Sequence, residues 1–177
     1  ATASLAPDVP VVTFNGLSKS HHICGFRCGW MVLSGPDEML DSYREGLSVL
    51  ASLRLCSNVL SQTVIPAALA DTTYTHQYLR PGGRLFEQRQ TAYDLLNAIP
   101  GVSAVMPKAG LYIFPKLDLQ RLRINDDERF VYDFLKEKQV LLTHGRSYNW
   151  PGADHFRLVY LPQKDQLADV LYRLANF

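Results

Sequence analysis

A chain of 177 residues is long enough to bury a real core, in one domain or slightly more. With 47% apolar and 20% charged residues it has the composition of a soluble globular protein, and a formal charge of +1 argues against a nucleic-acid-binding surface, which would carry a basic excess. It has no apolar run of the roughly eighteen residues a membrane span needs, and no N-terminal signal-peptide pattern. Three cysteines without framework spacing suit a reducing compartment, so a cytoplasmic location is the expectation.

Two short apolar runs, Val11 to Phe14 and Trp30 to Leu33, are too short for stable helices and rich in β-branched or aromatic residues, so both are expected to be buried strands. Gly35-Pro36-Asp37-Glu38 then gives a turn and an acidic first helical turn. Leu40, Tyr43, Leu47 and Leu50 recur at helical spacing, predicting a helix to about Leu55 that Cys56-Ser57-Asn58 breaks. A second helical pattern runs from Val59 to about Leu69 with Pro66 inside it, where a kink is expected because proline removes a hydrogen bond and clashes with the preceding turn.

Pro81-Gly82-Gly83 marks a hinge, and Leu85, Arg89, Ala92, Leu96 and Ile99 trace one face of a long helix stopped by Pro100-Gly101. Short strands are expected at Val102 to Met106, Leu111 to Pro115, Val140 to Thr143 and Phe156 to Leu161. Asn125-Asp126-Asp127-Glu128 opens another helix, with acids at its positive end and Phe130, Val131, Phe134 and Leu135 on its apolar face. The segment from His144 to Asp154 reads as loop, and Leu167, Val170, Leu171 and Leu174 face inward from a last helix. Helices on one side of a small, mostly antiparallel sheet make an α+β lobe.

Between the first two strands lies Asn15 to Trp30, dense in Gly, Ser and His and carrying Lys19 and Arg27 eight residues apart. Lysine and arginine in a loop are usually solvated surface charges. A loop anchored by strands and carrying both is also a candidate anion site. His21, His22, Cys24 and Cys28 look like metal ligands but fit no standard zinc spacing, so no metal is expected; Cys24 and Cys28 are expected to pack as small hydrophobes. Lys116, Arg121 and Arg123 read as a solvated basic face, and Arg54 as a charge at a helix C-terminus.

Gly16-Leu17-Ser18-Lys19 followed by Gly25-x-Arg27-x-Gly29-Trp30 resembles the cofactor-lysine signature of the class I/II aminotransferases of fold type I. The likeness extends over Ala51-Ser52-Leu53-Arg54-Leu55-Cys56-Ser57-Asn58, Pro81-Gly82-Gly83-Arg84 and His155-Phe156-Arg157-Leu158-Val159, and is strongest to the bacterial alanine (glutamate–pyruvate) transaminase branch. His22 and Cys28 depart from the usual signature, where small or aliphatic residues stand.

The resemblance implies that Lys19 forms a Schiff base with pyridoxal 5′-phosphate and moves the proton, that Arg27 and Ser18 bind the cofactor phosphate, and that Arg157 grips the substrate α-carboxylate. The residue types suit these tasks. A neutral lysine amine is a nucleophile and a base, and an arginine fork pairs with phosphate or carboxylate through two charge-assisted hydrogen bonds. For Arg157 the alternative is an ordinary ion pair with a nearby acid such as Asp154. The loop residues Tyr148, Asn149, Trp150 and Pro151 are read as packing rather than as a pocket.

The resemblance further implies an α/β fold: residues 1–80 as the C-terminal part of a large cofactor-binding domain, and 81–177 as a small α+β domain. The implied activity is transfer of an amino group between alanine or glutamate and a 2-oxo acid, pyruvate or 2-oxoglutarate, in amino-acid biosynthesis. The expected partners are those substrates and a second copy in a homodimer, with no nucleic acid and no membrane. In the family the lysine lies past the middle of a longer chain, so an aminotransferase lacking its N-terminal half, and inactive alone, is the expectation. The alternatives are an inert C-terminal fragment, the effector domain of a cofactor-sensing transcription regulator, or a carbon–sulfur lyase of the same fold.

Overall fold

The computed structural model describes residues 2–177, which form two compact units, one ending at Thr75 and the other spanning His76–Phe177.

In the first unit, β1 (Val11–Gly16) and β2 (Gly29–Ser34) pair antiparallel, in register from Val11 opposite Ser34 to Gly16 opposite Gly29. The two glycines let the ribbon's ends close. A Cβ on Gly29 would lie 2.8 Å from the Asn15 carbonyl oxygen, nearer than side chains come to backbone. The connection carries a one-turn helix α1 (Leu17–Ser20) and a 3-10 turn at Cys24–Phe26 packed against it.

The expectation of buried strands is corrected. Phe14 is 75% exposed and Val32 51%, because among the described residues β1 and β2 pair only with each other. Cys24 is exposed, not packed as a hydrophobe, while Cys28 is half-buried.

The helix expected after Gly35-Pro36 is α2 (Asp37–Arg54), with Asp37 and Glu38 at its positive end. Of its apolar stripe only Leu40 is buried; Leu50 is 62% exposed. The next segment divides into α3 (Val59–Gln62) and α4 (Val64–Ala70), followed by a helix missed by periodicity, α5 (Thr73–Leu79). The interruption falls at Thr63, three residues before Pro66. The helix restarts at Val64, so Pro66 sits in a first turn whose N–H groups lack intrahelical partners anyway. Among the described residues of this unit only Leu17, Leu40 and Ser61 are buried.

The second unit holds the core. Its long helix is α6 (Arg84–Ala98), preceded by the buried Gly83, where a Cβ would meet the carbonyl oxygens of Gln77, Tyr78 and Arg80. Two short strands, β3 (Val102–Ser103) and β5 (Lys116–Leu117), pair antiparallel; between them lies β4 (Tyr112–Ile113). Then come a one-turn helix α7 (Leu119–Leu122), α8 (Asp127–Lys138), β6 (Thr143–His144), β7 (Phe156–Val159) and α9 (Lys164–Ala175).

Asp126 caps α8 by accepting from the Arg129 N–H, and a Gln163–Gln166 capping box starts α9. The three-stranded antiparallel sheet has the order β4-β7-β6. Along β7 burial alternates, so its two faces differ. Phe156 and Leu158, with Ile113 opposite Leu158, turn into a core closed by Ala92 and Leu96 of α6, Phe134 of α8 and Leu167, Leu171 and Leu174 of α9. Each such fully buried leucine or phenylalanine stabilises the unit by about 1.5–3 kcal/mol. Helices thus cover one face of the sheet, as expected. The other face is left to Tyr112, Arg157 and Val159, with Thr143 opposite Arg157.

Candidate functional site

Two groups of the anticipated residues lie in different units, and each is described by itself. In the first unit, Ser18 and Lys19 stand on α1 immediately after the ribbon's end, Ser18 half-buried and Lys19 exposed. Leu17, 1% exposed, pins this turn into the unit.

Arg27 stands just before β2 in the left-handed conformation (φ 52°, ψ 41°), which costs an L-residue about 1–2 kcal/mol. Its Nη1 donates to the Cys24 carbonyl at 2.8 Å, curling the side chain back over the 3-10 turn. The closed register of Gly16 and Gly29 brings Lys19, three residues beyond one, and Arg27, two residues before the other, into a single short connection. Among the described residues neither Lys19 nor Arg27 forms an ion pair, so the connection presents one primary amine, one guanidinium and the Ser18 hydroxyl with no acid neutralising them. That donor set fits a phosphorylated aldehyde.

Residues to which the sequence assigned no anchoring role tie this connection down. His21 Nε2 lies 2.9 Å from the Ala68 carbonyl oxygen, its Nδ1 2.9 Å from Ser20 Oγ, and its ring stacks on Tyr74. Asn58 Nδ2 donates to the Phe26 carbonyl at 2.8 Å, and Cys28 Sγ to that of Ser61 at 3.5 Å. The histidine had been weighed as a metal ligand; its two ring nitrogens serve instead to moor the loop. Among the described residues no group of three or more His, Cys, Asp or Glu is placed to hold a metal.

In the second unit, Arg157 lies half-buried on the open face of the sheet. Its guanidinium carbon sits 4.6 Å from the Tyr112 ring centroid and 4.8 Å from that of Tyr148. Among the described residues it makes no ion pair, and its buried Nε has no hydrogen-bond partner. The nearby acid that could have neutralised it is occupied elsewhere. Asp154 Oδ1 accepts from Trp150 Nε1 at 2.8 Å and meets His155 Nδ1 at 2.8 Å, and Oδ2 faces Lys116 Nζ at 3.8 Å.

Burial opposes the Asp154 charge, but hydrogen bonds from His155 and Trp150 and the charges of His155 and Lys116 prevail, holding its carboxyl below the usual value. The ion-pair alternative for Arg157 is therefore not what the chain adopts. An uncompensated guanidinium between aromatic faces keeps a fork of N–H donors whose geometry matches a carboxylate. Tyr112 and Tyr148 were not singled out as flanking residues because the cross-strand register and the 3-10 turn at Gly145–Tyr148 bring them to Arg157, and neither is legible from spacing.

The profile of the family described as Aminotransferase class I and II matches residues 1–174. The chain belongs to that family. Class I and II aminotransferases depend on pyridoxal phosphate. Similar proteins include the glutamate-pyruvate aminotransferase AlaA of Escherichia coli strain K12, 50% identical over 175 residues, which cover 99% of this chain and 43% of that protein. The alanine aminotransferase of Mycobacterium tuberculosis is 47% identical over 175 residues, covering 99% of this chain and 41% of that protein.

Among solved structures, an aminotransferase from Escherichia coli superposes with a TM-score of 0.95 at 50% identity, covering all of this chain and 44% of that one. The alanine aminotransferase from Pyrococcus furiosus gives a TM-score of 0.89 at 36% identity with the same coverage. The chain thus spans less than half the length of the aminotransferases it matches. The α/β fold of these class I/II relatives is the one anticipated, and no described helix is long and apolar enough to cross a membrane.

Proposed function

We propose that this chain carries the cofactor-lysine and carboxylate-binding parts of a pyridoxal-phosphate-dependent transaminase that exchanges an amino group between alanine or glutamate and pyruvate or 2-oxoglutarate. The observation that carries the reading is Arg157, an unneutralised half-buried guanidinium held between Tyr112 and Tyr148. The names of the similar proteins, glutamate-pyruvate and alanine aminotransferase, support the choice of substrates.

On this reading Arg157 fixes the α-carboxylate by its fork and so sets the direction of the substrate Cα–H bond. Arg27 and the Ser18 hydroxyl hold the cofactor phosphate. Pyridoxal 5′-phosphate, when bound, supplies an electron sink for the charge that develops at the substrate Cα. Lys19 would hold the cofactor through Nζ, and its amine would serve as the base that moves the proton at the substrate Cα. Donor and acceptor would use the same Arg157 carboxylate site in turn, the first leaving before the second enters, so ping-pong kinetics are expected.

Residues 1–80 are read as the C-terminal part of the large cofactor-binding domain and 81–177 as the small domain, with the remainder of the active site supplied by a longer chain and the 177 residues inactive alone. The same reading has the protein work as a cytoplasmic homodimer in amino-acid biosynthesis, with no nucleic-acid partner.

The test is reductive trapping. The 177-residue chain is incubated with pyridoxal phosphate, treated with borohydride and digested, and the modified peptide is identified by mass. Label concentrated on Lys19 and lost in Lys19→Ala supports the reading. Label spread evenly over Lys108, Lys116, Lys136, Lys138 and Lys164 as well overturns it.

A further inference from the structure

We propose that Asp154 is the positioning residue of the Arg157 site: it closes the loop from Tyr148 to Asp154 so that the Tyr148 ring stays against the guanidinium. The proposal rests on the reading of Arg157 as a carboxylate anchor.

Sequence alone gives this loop no reason to hold one shape. It contains Asn149 in the left-handed conformation, Pro151 and Gly152, and its backbone is tied to a strand at its end, where the Leu117 N–H donates to the Asp154 carbonyl at 2.7 Å. Its side chains are gathered by one carboxylate. Asp154 Oδ1 takes the Trp150 indole N–H from four residues earlier at 2.8 Å and meets His155 Nδ1 at the same distance.

The two rings so fastened are in contact, Trp150 on His155 with centroids 4.2 Å apart, and both lie on Phe114, at 5.6 and 4.9 Å. Phe114 in turn meets Tyr148 edge to face at 6.4 Å, and Tyr148 lies 4.8 Å from the Arg157 guanidinium carbon. The path from Asp154 to Arg157 is therefore a continuous set of ring contacts, each a modest interaction with directional preference. Backbone packing is fitted to it as well. A Cβ on Gly152 would lie 2.6 Å from Asp154 Oδ1, so only glycine leaves the carboxylate where it is.

The consequence for a ligand is orientational. Asp154 never meets the bound carboxylate; it restricts the wall against which the Arg157 fork is held. Removing it leaves Arg157 charged but free to sample other rotamers, and a carboxylate must then order the side chain as it binds.

The experiment is a titration of the full 177-residue chain with propionate, followed by the Arg157 Nε–H and Trp150 Nε1–H resonances. Asp154→Ala and Gly152→Ala are expected to move the Trp150 signal without ligand and to raise the propionate dissociation constant about tenfold. Asp154→Asn, whose amide oxygen still accepts the indole N–H, is expected to restore affinity to within about threefold of the parent, a rescue that general loss of packing would not produce. Arg157→Met serves as the variant without binding.

If Asp154→Ala fails to fold, Trp150→Phe, which keeps a ring and loses the N–H, is expected to weaken binding in the same way. The proposal is overturned if the folded variants bind propionate as tightly as the parent while Arg157→Met does not. If the parent's Arg157 signal ignores propionate, the carboxylate reading itself fails and the positioning role falls with it.

Discussion

Tyr112 and Arg157 lie diagonally across β4 and β7, and the guanidinium carbon rests 4.6 Å from the ring centroid with no acid among the described residues to neutralise it. The planar ion stacks there as an ammonium would not. Arg157→Lys keeps the charge but loses the stack and the paired hydrogen bonds. We expect it to weaken carboxylate binding by about 10–100-fold, the value of one or two charge-assisted bonds, with the melting temperature little changed; a propionate titration measures this.

Arg27 separates local conformation from ligand binding. Its left-handed backbone is one that glycine adopts without strain. Arg27→Gly is therefore expected to leave stability within about 1 kcal/mol of the parent, relief of strain offsetting the greater freedom of the unfolded chain. Affinity for pyridoxal phosphate is expected to fall by at least tenfold, since the phosphate loses its fork. Chemical denaturation and an absorbance titration measure the two effects independently.

Asp127 sets an acid limit on the second unit. Its side chain is fully buried at the start of α8; burial opposes its charge, but the Arg146 backbone N–H at 3.0 Å, the Arg146 side chain and the nearby His144 hold its carboxyl below its ordinary 3.8. A depressed folded value contributes stability that is fully present above the unfolded value and is lost as pH falls through the folded one. The melting temperature is expected to be flat above about pH 5 and to drop steadily below pH 4, with a shallower drop in Asp127→Asn. Asp127→Ala is expected to cost about 1–3 kcal/mol at neutral pH, because it removes the carboxylate that accepts from both the Arg146 backbone N–H and its guanidinium. Thermal melts across pH check both.

Gly83 is a position where any side chain collides with backbone. The added Cβ of Gly83→Ala would meet three carbonyl oxygens at the end of α5, where only movement of main chain gives room. A loss of about 1–3 kcal/mol is expected, whereas Gly82→Ala, with open space around it but φ of +80°, is strained by conformation alone. Comparing their denaturation midpoints distinguishes steric from conformational cost.

The sequence by itself determined the strongly periodic and strongly punctuated parts: α2 after Gly35-Pro36, α6 between Pro81-Gly82-Gly83 and Pro100-Gly101, and the inward stripe of α9. It determined the residue types of the loop carrying Lys19 and Arg27, whose order is a local signature shared with the family that the chain belongs to. Helices without a long apolar stripe, α5 and α7, were not visible, since a turn or two leaves too few positions for periodicity to register.

Burial was misjudged at β1 and β2, because apolar composition gives a strand's preference for being covered and not whether anything covers it. The choice for Arg157 was left open as well. Carboxylate binding was the favoured reading, but sequence distance also allowed Asp154 as a partner. Tertiary structure removed the ion-pair alternative by turning Asp154 to Trp150, His155 and Lys116, and it laid Tyr112 and Tyr148 on the guanidinium. These are contacts set by strand register and by side-chain direction, quantities that arise only when separate segments pack together.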